Sequence, residues 1–128
     1  MAKKNRIFTS FAIEDEAYRN LLVGQARNDK SPFEFVDMSV KEPWDEKWKT
    51  NCRTKLKGCD GVIAIVSKNT AKAAGALWEV SCAQEEQIPI LGVYADAGNK
   101  PSALPSIFAR VKVVEWTWAS LKKFIDSL

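Results

Sequence analysis

The chain contains no histidine. That absence removes the Ser-His-Asp and Cys-His nucleophile systems, in which an imidazole takes the proton. It equally removes the zinc sites that rely on imidazole ligands. Cysteine is scarce: Cys52, Cys59 and Cys82 are odd in number and fit no metal or redox spacing, so buried reduced thiols are the plain reading. Neither a Walker loop nor a GxGxxG turn occurs, so the usual phosphate cradles are missing. No apolar run approaches the roughly 20 residues of a membrane span. The basic start, Met1 to Arg6, leads into a stretch too short and too polar for a signal-peptide core, so a cytoplasmic protein with no membrane partner is expected. A net charge of +3 is too mild to call for nucleic acid.

What remains is an ordinary globular composition, 46% hydrophobic over 128 residues, which suits one domain spanning 1–128 with one good core. Strand and helix patterns alternate along it. Arg6 to Ala12 reads as a buried strand, and Glu14-Asp15-Glu16 places acids in the first turn of a helix reaching about Arg27. Ile13, Ala17 and Leu21 recur every four residues, with Tyr18 and Leu22 beside them, as the apolar face of that helix. Asn28 to Pro32 reads as a turn and Phe33 to Ser39 as a second strand. Pro43 then opens a helix whose stripe is Trp44, Trp48, Cys52 and Leu56, ended by Gly58 and Gly61.

Val62 to Val66 is apolar at every position, which predicts a strand covered on both faces, as in a parallel sheet. Ser67-Lys68-Asn69-Thr70 turns into a helix from about Ala71 to Glu86. Ile88 to Ala95 is a further strand, Asp96 to Pro101 a loop, Val111 to Trp116 the last strand, and Thr117 to Leu128 a terminal helix. The alternation predicts an α/β three-layer domain around a five-stranded, mainly parallel sheet. Ligands of such sheets bind at the carboxyl ends of the strands, beside the topological switch point.

Three motifs resemble Toll/interleukin-1 receptor (TIR) domains. Arg6-Ile7-Phe8-Thr9-Ser10-Phe11-Ala12 followed by Glu14-Asp15 is similar to the family's opening strand and loop. Ser67-Lys68-Asn69-Thr70 resembles its serine-rich turn after the third strand. Gly75-Ala76-Leu77-Trp78-Glu79-Val80 resembles its Trp-x-x-Trp-Glu-Leu box, with Gly75 in place of the first tryptophan. The short loop from Ser39 to Trp44 looks more like the compact TIR-like proteins of bacterial Thoeris antiphage systems than like receptor TIR domains.

The resemblance implies a flavodoxin-like, TIR-like fold with strand order 2-1-3-4-5. It implies an enzyme that consumes NAD as substrate, with no permanently bound cofactor and no metal. The product would be ADP-ribose or a cyclic ADP-ribose-type signal, read by a downstream effector, with self-association through TIR surfaces. Glu79 is the implied catalytic residue. Thr9, Ser10, Phe11, Ser39, Trp44, Ser67 and Asn69 are the implied substrate contacts. Nicotinamide is cationic in NAD and leaves as a neutral base, so one carboxylate suffices where ordinary glycosidases need two.

Plainer readings stand beside these. At about 100° per residue, Ala73, Leu77, Val80 and Gln84 cluster on one side of the helix, extended by Ala76 and Ala83, with Glu79 on the flank. That position suits a pocket edge and equally a solvated glutamate, the commoner fate of helical glutamates; the motif match tips the balance to catalysis. Phe11, Trp44 and Trp48 suit core packing, although Trp44, near the loop, also suits a pocket wall; Trp78 suits packing or an assembly surface, and Ser67 and Asn69 the capping of the next helix. The alternative function is a non-catalytic interaction module. A receiver-like phosphoacceptor is disfavoured, because Thr9-Ser10-Phe11 stands where that fold needs acids.

Overall fold

The computed structural model describes residues 5–29, 33–38 and 42–128. Five strands form one parallel sheet: β1 (Asn5–Ser10), β2 (Phe33–Val36), β3 (Gly61–Val66), β4 (Ile90–Tyr94) and β5 (Lys112–Glu115). Their order is β2-β1-β3-β4-β5, as expected, and every pairing is parallel. β3 is central and buried at all six positions, the outcome its unbroken apolar run requires.

Successive residues of the inner strands point to opposite faces. Ile7, Ile63 and Ile65 face one layer, together with Leu22 and Ala26 of α1 (Glu16–Asp29) and Leu121 and Ile125 of α4 (Trp118–Asp126). Phe8 and Val62 face the other, where Trp48, Cys52 and Leu56 of α2 (Glu46–Lys57) meet Cys82 and Ala83 of α3 (Ala74–Glu85). Gly92 allows β5 to lie close to β4: a Cβ there would stand 2.8 Å from Cγ2 of Val113, its register partner.

The helix faces differ from the sequence reading in three places. In α1 the buried residues are Leu22 and Ala26, with Tyr18 half-buried, whereas Ile13 and Leu21 are exposed. The cause is a short 3-10 turn over Ile13–Asp15 ahead of the α-helix, which breaks the phase carried forward from Ile13. In α2, Trp48, Cys52 and Leu56 are buried as expected, but Trp44 precedes the helix and is 77% exposed. Asp45 is the reason: its carboxyl accepts the amides of Lys47 and Trp48, so the helix starts after Trp44.

In α3, Glu79 is not on a flank. It is 0% exposed, within a broad arc of Gly75, Ala76, Val80, Cys82 and Ala83. The expected turn at 28–32 and strand end at Ser39 fall partly outside the described residues; α1 runs on to Asp29 and β2 ends at Val36.

Cys59, just past α2, is buried, and its thiol donates to the Lys55 carbonyl at 3.3 Å. Desolvation pushes it up to about 11, against a weaker pull from Arg6. The folded chain therefore keeps a proton that the unfolded chain loses near pH 9, and stability falls as pH rises from about 9 to 11. At pH 8 the thiolate population is about a hundredfold below that of a free thiol. Ellman's reagent should label Cys59 about a hundredfold more slowly in native than in denatured protein, and equal rates would contradict the burial.

Candidate functional site

The loops after β1 and β3 leave the same edge of the sheet from adjacent strands, Ser10 lying in register with Ala64. Because β1 continues to β2 on its other side, this is the switch point where such sheets open a crevice.

Asp15 joins the two loops. It is 1% exposed, and its Oδ2 and Oδ1 accept the Ser67 hydroxyl at 2.5 Å and the Asn69 side-chain amide at 2.9 Å. Ser67 Oγ in turn accepts the Asn69 backbone N–H at 3.0 Å, and Thr70 Oγ1 accepts that of Ser67 at 2.9 Å. Ser67 and Asn69 thus hold Asp15 and leave α3 uncapped: its N-cap position, Ala73, makes no side-chain capping bond. The expected capping role gives way because a buried acid needs its hydrogen bonds more than a helix end beside solvent does.

Above this staple lies a cleft of about 230 Å³. One wall is Ala12, Ile13 and Glu14; the opposite wall is Lys72 and the first turn of α3, Ala74 to Ala76; Pro43 and Trp44 close a third side. Trp44 and Ile13 stand exposed at its rim. Lys72 brings a cation, and the uncapped amides of α3 bring the positive end of a helix dipole.

Glu79 lies one helical turn beyond Ala76, behind the cleft wall and outside its lining. Ser10 sits between them, its hydroxyl placed 3.2 Å from the Ala76 carbonyl and 3.0 Å from Glu79 Oε1. A wholly buried carboxyl beside a cleft is costly to place there, and the Ser10 hydroxyl at the end of β1 meets it.

The structure thus brings Glu79 and Ser10 together, joins Ser67 to Asn69 through Asp15, and sets Trp44 on the cleft. Thr9 and Phe11 are wholly buried, so neither presents a side chain to the cleft. Thr9 Oγ1 has no hydrogen-bond partner among the described residues, and Arg19 lies 5.5 Å from the Phe11 ring. Ser39 falls outside the described residues. Trp78 is a packing residue: it meets Trp48 edge-on at 5.5 Å and carries Arg53 at 5.8 Å.

Three residues escaped the sequence reading as site residues, among them Ile13, which was assigned to the apolar face of the first helix and lines the cleft instead. Asp15 looked like one of three helix-start acids; the signal that separated it was its place in the TIR-like opening motif. Lys72, one of 19 basic residues, carried no local signal at all.

The sequence profile of the Thoeris protein ThsB, TIR-like domain, matches residues 8–100. No curated protein sequence matches the chain. Among solved structures, the SEFIR domain of IL-17 receptor B is similar at a TM-score of 0.59 and 10% identity, over 98% of this chain and 96% of that one. A prokaryotic SEFIR domain gives 0.51 at 13% identity, over 97% and 89%. A diflavin flavoprotein A3 from Nostoc sp. gives 0.54 at 14%, over 98% and 89%. At such identities these structures speak for the fold alone.

Proposed function

The chain belongs to the TIR-like domain family of the Thoeris protein ThsB, and from that premise we propose that it consumes NAD. It cleaves the nicotinamide–ribose bond and releases ADP-ribose or a cyclic ADP-ribose-type signal for a downstream effector. The observation that carries this reading is Glu79, a wholly buried carboxyl held through Ser10 directly behind the cleft wall.

The surroundings suit the substrate. Lys72 and the uncapped amides of α3 favour the pyrophosphate. The rim residues Trp44 and Ile13 offer apolar surface to a base. The cleft, about 230 Å³, is below the roughly 300–1,000 Å³ of common small-molecule sites, so it seats half of the dinucleotide. For Glu79 to reach the ribose, the first turn of α3 must part from Ser10. Self-association through TIR surfaces is a trigger that can supply this movement. At the open site one carboxylate holds a ribose hydroxyl and stabilises the oxocarbenium-like charge, while nicotinamide departs neutral without an acid.

The second reading, a non-catalytic interaction module, draws on Trp44, 77% exposed, and on Gly75, which stands where the motif has a tryptophan. Incubating the protein with NAD, alone and with infected-cell lysate, and measuring nicotinamide and nucleotide products by mass decides between them. Nicotinamide release is the expected result. No release with either, together with loss of function on Trp44→Ala, would leave the interaction module.

A further inference from the structure

We infer that the chain carries a second ligand site, for a small organic cation, on the opposite layer of the sheet. A cavity of about 390 Å³ opens between α1 and the carboxyl ends of β4 and β5. Three aromatic residues, Tyr18, Tyr94 and Trp116, and two carboxylates, Asp96 and Glu115, line it.

The rings are held in place. Trp116 donates its indole N–H to Gln25 Oε1 at 2.8 Å and stands tilted to Tyr18 with ring centroids 6.4 Å apart. Aromatic faces and carboxylates around one cavity attract a cation that also carries an apolar body. Anions are disfavoured by the same carboxylates, and among the described residues no lysine or arginine lines this cavity to offset them.

The protein itself supplies a cation at the rim. Lys100 places its Nζ 4.8 Å from the Tyr94 ring centroid and pairs with Glu115. Both ends of that pair are well exposed, with side chains 39% and 59% accessible, so the ion pair is weak and exchangeable. Lys100 thus occupies the cation subsite and leaves it when a ligand ammonium or guanidinium arrives. Trp116, Tyr18 and exposed Leu21 then cover the ligand body.

The test follows the Trp116 indole N–H resonance, assigned by its loss in Trp116→Phe, while phenethylammonium is titrated into the folded protein. A saturable shift with Kd on the order of 1 mM is expected, with neutral 2-phenylethanol at least about tenfold weaker. Glu115→Gln should weaken the cation about fivefold, and Lys100→Ala should tighten it about threefold by removing the competitor. Both positions are exposed, so unchanged amide spectra elsewhere will establish that the variants fold. No saturable shift, equal binding of the alcohol, or unchanged affinity in Lys100→Ala would overturn the inference.

Discussion

Glu79→Gln is expected to lower NAD cleavage by about a thousandfold or more, some 4 kcal/mol of barrier, while folding at least as stably as the unmodified chain. The two halves of that result have one cause. Glu79 is 0% exposed and held by Ser10, so on the proposed reading the acid is kept for its chemistry at some cost to the fold. An amide keeps the shape and an acceptor oxygen for the Ser10 hydroxyl, but it cannot carry the charge that an oxocarbenium-like centre needs. Nicotinamide release and thermal midpoint, measured on the same preparation, check both. Turnover equal to that of the unmodified chain would remove Glu79 from the reaction. A large loss of stability would instead make the carboxyl a structural group.

Asp15→Ala is expected to cost about 3 kcal/mol of stability, or about 10 °C in midpoint for a domain of this size. The Ser67 hydroxyl and the Asn69 amide both end on this one carboxyl, and Asp15 and Ser67 are essentially closed to solvent. Truncation strands two donors and unpins the loop that forms one cleft wall. Asp15→Asn keeps the shape and one acceptor, so its loss should be smaller. Differential scanning calorimetry of the three proteins checks the order; a midpoint for Asp15→Ala within a degree or two of the parent would mean that water replaces the staple at no cost.

The fold was legible in the sequence where burial is two-sided or strictly periodic. Val62 to Val66 could only be a covered strand, and Trp48, Cys52 and Leu56 could only be one helix face. Less legible was any choice between two equally spaced series. In α1, Ile13-Ala17-Leu21 and Tyr18-Leu22-Ala26 both repeat every four residues; the 3-10 turn that decides between them depends on Asp15 turning inward to meet a loop more than fifty residues away. In α3, small or apolar residues occupy most of the circumference, so counting gave direction to Leu77 when the packed arc centres nearer Ala76, Glu79 and Ala83.

The site shows the same division. Glu79 and Ser10 were named by motif and Trp44 by its place near the loop after the second strand, and the three lie around one corner of the sheet. Asp45 was the readable signal for moving Trp44 off its helix, an N-cap residue followed by a helical run. Lys72 and the hydrogen bonds of Asp15 arise only when two loops distant in sequence meet, and no window of residues contains them.

The Ser10 hydroxyl has one hydrogen and two oxygens within reach, the Ala76 carbonyl and Glu79 Oε1. It can satisfy only one at a time. On the proposed reading, a sugar hydroxyl that donated to Glu79 would release Ser10 to turn its hydrogen to Ala76. Under the proposed function Ser10 and the ligand compete for the same carboxylate oxygen, so a ligand lacking that hydroxyl would leave Ser10 on Glu79.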